Sequence, residues 1–270
     1  MAPAYSLMID LISDDQGRFG AVPEVVPVDW SHTFPHVTRD DPNAPQEMDS
    51  IVCSSAYPLL TRAVNLHYAD NRIVQRHWES LERYMTNLVQ RAAPNALPDF
   101  EVDCGGSSNQ SSAVYQAATG GALAAFKFIS AADAMASMAD ALGNAHGAAR
   151  YRSLARASRK EWHARYWNAS LSAYGYEDSE NGLVCQGLSA AALVLGGLPP
   201  GRADKVLTYL QSDMQARQHH FTVGEVGVRP LLNALSASGM HADALKLVLQ
   251  RSFPSYGWWL ERNATTCWES

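Results

Sequence analysis

The stretch Phe253-Pro-Ser-Tyr-Gly-Trp-Trp-Leu-Glu-Arg-Asn-Ala-Thr-Thr-Cys-Trp-Glu-Ser270 combines two ingredients of sugar chemistry. Phe253, Tyr256, Trp258, Trp259 and Trp268 supply flat apolar faces, and Glu269 supplies a carboxylate just after Thr265 and Thr266. Apolar faces of a sugar ring stack on aromatic rings, while a carboxylate activates water or binds hydroxyls. The same composition also suits a buried aromatic turn that ends in one solvated glutamate.

Other carboxylates fall between the expected helices: Asp29, Asp49, Asp99, Asp103 and Glu225. Each has a plain structural alternative. Asp49 directly precedes a helical pattern, where a side-chain oxygen caps a free backbone N–H. Asp99 and Asp103 bracket a turn-like stretch before Cys104-Gly-Gly-Ser-Ser. Glu225 sits in Gly224-Glu-Val-Gly227, which suits close backbone approach to a ligand or an ordinary helix start. His219-His220 lacks a third ligand at helical spacing, so no metal site is expected. The four cysteines, Cys53, Cys104, Cys185 and Cys267, show no metal-ligand spacing and read as scattered free thiols. No phosphate-binding glycine loop, dinucleotide fingerprint or nucleophile elbow is present, so no cofactor is expected.

The elements that must position these groups are helical. Tyr5–Ile12 reads as a helix, followed to residue 50 by a loop-rich lead-in dense in proline and glycine. From residue 51 the apolar residues recur at helical spacing. The expected helices cover 51–68 with a kink at Pro58, 73–89, 112–142, 148–167, 182–196, 203–214, 226–238 and 242–250. Only Leu171–Tyr176 and Phe221–Val223 read as short strands. This gives about eight helices after the lead-in, most of them joined by short links, as in helical hairpins. Their faces are rich in Ala and Gly, which lets helices approach closely.

A chain of 270 residues buries a real core, and 47% hydrophobic with 18% charged residues is ordinary for a globular protein. The net charge of -6 and the lack of a basic run argue against nucleic acid or an anionic membrane as partner. No stretch approaches eighteen apolar residues, so no membrane-spanning helix is expected. The first residues show no signal-peptide pattern, which leaves the compartment open.

Three segments in order carry a family resemblance: His220-Phe-Thr-Val-Gly-Glu-Val-Gly227, then Pro254-Ser-Tyr-Gly-Trp-Trp259, then Asn263-Ala-Thr-Thr-Cys-Trp-Glu269. They resemble the H-x-T-x-G-x-x-G, Y-P-S-Y/W-G-Y and G-A-T-T-x-x-E motifs of the α-L-rhamnosidases of glycoside hydrolase family 78. Looser similarity lies upstream. It covers Asp10 to Pro27, Glu47-Met-Asp49-Ser for the family's W-G-D-A, and Pro98-Asp99-Phe100 for its G-D-W. The resemblance implies an all-α fold, the (α/α)6 six-hairpin toroid. It also implies inverting removal of terminal α-L-rhamnose from a rhamnose-containing glycoside. By motif match Glu269 is the general base, Asp49 and Asp99 bind sugar hydroxyls, and Trp258, Trp259 or Trp268 stacks on the ring. Glu225 joins the substrate-binding set. An inverting site needs a second, protonated carboxyl about 6.5–9.5 Å from the base.

Departures accompany the match. Asn263 replaces the motif's leading glycine, and the family's acid-bearing D-x-P-x-R-x-E-x-x-G-W segment is not found in these residues. The expectation is a toroid incomplete at both ends, spanning 1–270 as one partial domain. Its open helix faces carry a risk of poor folding or dimerisation. Another six-hairpin sugar hydrolase, fucosidase- or glucoamylase-like, fits the motif spacing less well. A non-catalytic helical toroid that binds carbohydrate or protein is the alternative of a different class.

Overall fold

A computed structural model describes residues 2–28, 50–92, 97–98, 113–176, 183–184 and 186–266. Eleven helices lie among the described residues. They are α1 (Ala2–Asp14), α2 (Ile51–Ser54), α3 (Ala56–Tyr68), α4 (Asn71–Ala92), α5 (Ala113–Ala141) and α6 (Ala145–Arg165), followed by α7 (Gln186–Leu195), α8 (Arg202–Ala216), α9 (Glu225–Ala237), α10 (His241–Leu249) and α11 (Tyr256–Glu261). Every helix expected from the periodicity is present, with ends shifted by a few residues. The break expected at Pro58 lies earlier, at Ser55, which ends α2 and begins α3. Pro58 falls in the first turn of α3, where its missing N–H costs nothing.

The chain divides into two compact units: Met1–Glu101 with Ala124–Glu161, and Val102–Leu123 with Trp162–Ser270. In the first unit, α1 packs on α3 and α4. Helix α4 turns Ile73, Val74, His77, Leu81, Tyr84, Met85 and Leu88 inward, an apolar stripe at helical spacing. A buried polar chain ties these helices together. Asp10 lies 2.9 Å from His77 Nε2, and Tyr57 Oη lies 3.3 Å from His77 Nδ1. A carboxylate only accepts, so Nε2 carries the proton and the tyrosine donates to Nδ1. Gln16 donates to the carbonyls of Gly20 and Ser80 and accepts from Ser80 and Arg83. Gly20 has φ 97°, and a Cβ there would sit 2.3 Å from the Arg83 carbonyl oxygen. The upstream motif similarity therefore falls on residues that lock α1 and its following loop onto α4.

Helix α5 is the alanine-rich element. Ala122, Ala124, Ala125, Ala131, Ala132, Ala134, Ala136 and Ala139 are all buried. Helix α6 returns antiparallel to it, with Arg152 on Asp140, Arg159 on Asp133 and Trp162 Nε1 donating to the Ala122 carbonyl at 2.9 Å. The segment Gly121–Ala141 is long and apolar enough to cross a membrane, which corrects the expectation that no such stretch exists. Its alanines together with Leu123, Phe126, Phe128, Ile129, Met135 and Met138 give the apolar window a mean hydropathy of 1.3, and 78% of that window is buried inside the protein.

In the second unit, α7 packs on α9, α8 and the short sheet. Strands β1 (Trp167–Asn168), β2 (Ala173–Tyr176) and β3 (Leu183–Val184) form an antiparallel meander with Trp167 opposite Tyr174 and Gly175 opposite Val184. Phe221–Val223 does not join a strand. The buried Gln186 side chain meets this segment instead, accepting from Thr222 N at 3.2 Å and donating to the His220 carbonyl at 3.4 Å. The sheet is anchored by Trp162, which stacks on Tyr174 at 5.2 Å between centroids. His163 bridges Tyr174 Oη and the Gly196 carbonyl, each at 2.8 Å.

Cys53 is disulfide-bonded, which corrects the free-thiol reading for that residue. Spacing along the sequence carries no information on which sulfurs meet in space. Cys104, Cys185 and Cys267 lie outside the described residues.

Burial pushes the His77 imidazole below the ordinary histidine range, against the opposing pull of Asp10. A depressed folded value means that the unfolded chain takes up the proton first. Stability is therefore present above about pH 6.5 and lost as pH falls below it. Thermal melting at stepped pH should show Tm dropping on acidification below that value. A His77→Gln variant, less stable at neutral pH, should show a shallower drop.

Candidate active site

The aromatic segment is set by a corner and a short helix. After α10, Gln250 turns the chain, and its carbonyl accepts from Gly257 N at 3.2 Å. A Cβ on residue 257 would lie 2.4 Å from that oxygen, so only glycine fits. Ser255, 5% exposed and extended, caps α11 by accepting from Trp258 N at 3.0 Å. The helix closes through Ala264 N donating to the Trp259 carbonyl at 3.0 Å. Asn263, in the left-handed region at φ 58°, holds the place of the motif's glycine. Asparagine tolerates that region better than most residues, which makes the replacement physically mild.

Trp258 and Trp259 are both half-buried on α11. Phe253 meets Trp258 edge-to-face at 5.1 Å, Tyr256 meets Trp259 at 5.2 Å, and Phe221 meets Tyr256 at 5.5 Å. The Arg262 guanidinium lies 3.8 Å from the Trp258 ring centroid. A cation on an indole face adds attraction and leaves that face less open to a sugar. The aromatic cluster thus draws on two motif segments, the one that begins at His220 and the one that begins at Pro254.

Of the sequence-predicted site residues, the structure brings Trp258 and Trp259 together on one helix. Glu225 is the first residue of α9, behind an extended Gly224 at the N-cap, and its side chain lies outside what is described. Asp29, Asp49, Asp99, Asp103, Trp268 and Glu269 lie outside the described residues. At the α2 start, the N-cap position belongs to Ser50. His219 pairs with Asp243 at 3.1 Å, and His220 lies 2.8 Å from both the Arg217 carbonyl and Ser252 Oγ. Among the described residues no three His, Cys, Asp or Glu side chains gather as metal ligands. Sequence reasoning missed Arg262 and Ser255. Arg262 follows Trp258 by four residues, one helical turn, and that spacing was the available signal.

The glycine of H-x-T-x-G-x-x-G at position 227 serves packing. A Cβ there would lie 2.8 Å from Val223 Cβ, so the glycine lets the chain fold back on Val223 at the start of α9, with Gly187 Cα of α7 in ordinary contact range at 3.6 Å. A separate groove of about 430 Å³ runs between the β1–β2 turn at Leu171 and α8 at Asp204 and Tyr209, and no predicted site residue lines it.

A sequence model described as the bacterial alpha-L-rhamnosidase 6 hairpin glycosidase domain matches residues 1–270. An alpha-L-rhamnosidase of Streptomyces avermitilis is 30% identical over 142 residues, covering 53% of this chain and 13% of that protein. The solved alpha-L-rhamnosidase structure from Dictyoglumus thermophilum superposes with a TM-score of 0.84 at 22% identity, over 100% of this chain and 28% of its own. The Aspergillus terreus enzyme gives 0.81 at 15% identity, over 99% and 29%. The Streptomyces avermitilis structure complexed with L-rhamnose gives 0.72 at 21% identity, over 97% and 22%. These structural likenesses speak to the fold, and the chain spans less than a third of the length of each relative.

Replacing Gly257 by Ala forces the first turn of α11 away from the Gln250 carbonyl. The expected outcome is a loss of about 1–3 kcal/mol in stability. Tryptophan near-ultraviolet circular dichroism should change with it, and denaturant titration reads the loss.

Proposed function

The chain belongs to the family of bacterial α-L-rhamnosidase six-hairpin glycosidase domains, and from that premise we propose that it contributes to hydrolysis of terminal α-L-rhamnosides. The observation that carries the reading is the family match along all 270 residues. The half-buried Trp258 and Trp259, placed just before Thr265 and Thr266, support it. In the proposed site, Glu269 takes a proton from water, and the water attacks the anomeric carbon with inversion. The indoles of Trp258, Trp259 or Trp268 supply the apolar platform for the ring. The Arg262 guanidinium over Trp258 favours Trp259 among the two described ones. Glu225, Asp49 and Asp99 are hydroxyl-binding carboxylates by motif match. The leaving oxygen needs a proton donor, and no residue of this chain is assigned that role.

Hydrolysis of a chromogenic α-L-rhamnoside tests the reading, with Glu269→Gln beside the unaltered chain. Loss of the general base should cost roughly 10²–10⁴ in rate. Equal turnover by both proteins would remove Glu269 from the mechanism. L-Rhamnose binding without turnover in either protein would favour a carbohydrate-binding role.

A further inference from the structure

Two segments that build the aromatic cluster are joined by side chains outside the rings. Helix α8 ends in a turn where consecutive residues Gln218 and His219 have φ of 53° and 58°. Left-handed backbone is costly for residues with a Cβ and persists where the surroundings over-determine it. Here the surroundings grip the turn at three points. Asp243 holds His219 Nε2 at 3.1 Å, Gln250 Nε2 donates to the Gln218 carbonyl at 2.8 Å, and Ser252 Oγ lies 2.8 Å from His220 Nε2.

The proton positions follow from chemistry. His220 Nδ1 lies 2.8 Å from the Arg217 carbonyl, which only accepts, so Nδ1 carries the proton. In the neutral ring Nε2 is then an acceptor, and the Ser252 hydroxyl donates to it. The competing acceptor, Gln250 Oε1, is farther at 3.2 Å and already receives Arg251 N at 2.8 Å and Ser252 N at 3.3 Å. Gln250 therefore has two tasks. Its side chain grips the turn that leads to His220, and its carbonyl receives Gly257 N in the first turn of α11.

We infer that His220, Ser252 and Gln250 form a latch that positions Trp258 and Trp259, which makes His220 a positioning residue. The latch couples the segment that begins at His220 to the helix that bears the indoles. What the indoles bind rests on the rhamnoside reading above.

Fluorotryptophan labelling of the full chain with fluorine NMR tests the latch. The Trp258 and Trp259 signals are assigned by Trp258→Phe and Trp259→Phe, and the other tryptophan signals report whether the fold is intact. His220→Ala and Ser252→Ala should each shift the same two signals, the double variant should shift them no further, and His220→Gln should restore them in part. If His220→Ala does not fold, Ser252→Ala, which removes one oxygen from an exposed residue, carries the test. Unmoved Trp258 and Trp259 signals, or effects that simply add, would overturn the latch. In an L-rhamnose titration the same variants should bind about fivefold more weakly, the worth of one hydrogen bond. A lack of response to L-rhamnose in the unaltered chain would sink the sugar reading while leaving the ligand-free test of the latch in force.

Discussion

Close packing of α7 on α9 through small residues is the constraint on which the rest depends. Helix α7 turns Gly187, Ser189, Ala190, Ala191 and Ala192 inward, and α9 meets it with Gly227. Leu188 and Leu195 of α7 and Leu231 and Leu235 of α9 are buried as well, so small residues allow the close approach while the leucines supply apolar burial. Such surfaces do not adapt. A methyl added at Gly227 would lie 2.8 Å from the Cβ of Val223, a stiff branched neighbour that cannot give way. This contact lies in the first turn of α9, directly after its N-cap Gly224.

Buried polar side chains do what the small residues cannot, which is to specify how chain segments join. Gln186 reads the backbone of the 220–222 stretch in place of a neighbouring strand. His163 does the same for the Gly196 turn, and Gln16 for the turn at Gly20. Each lies at the junction of a helix with an irregular segment, where backbone groups lack helical partners. Two residues of the H-x-T-x-G-x-x-G motif, His220 and Gly227, take part in such contacts. Gly227 meets Val223, and His220 lies against the Arg217 carbonyl and Ser252.

The helical architecture was legible because periodicity reports burial directly. Ile73, Leu81, Tyr84 and Leu88 are visible as a stripe before any coordinate is known, and they are buried. Helix α11 was not legible, since its six residues follow Pro254 and contain Gly257, too short and too broken to show a period. The meander was half legible: Ala173–Tyr176 carries strand-forming tyrosines, whereas β1 and β3 have two residues each. Of the site, the two indoles were legible as types and their neighbours were not. Phe221 lies 35 residues before Tyr256 in sequence, and only the fold brings their rings together. The bond at Cys53 stayed hidden for the same reason.

The apolar character of α5 has a consequence for how the chain is made. Helices α1, α3 and α4 precede α5 in the chain, so their residues leave the ribosome before the alanine-rich segment does. Its antiparallel partner, α6, follows after three residues, Leu142–Asn144. The arginines of α6 then arrive opposite Asp133 and Asp140, the acidic residues of α5. The most membrane-like part of the sequence is thus followed at once by the helix that carries its counter-charges, an order that shortens its exposure during synthesis.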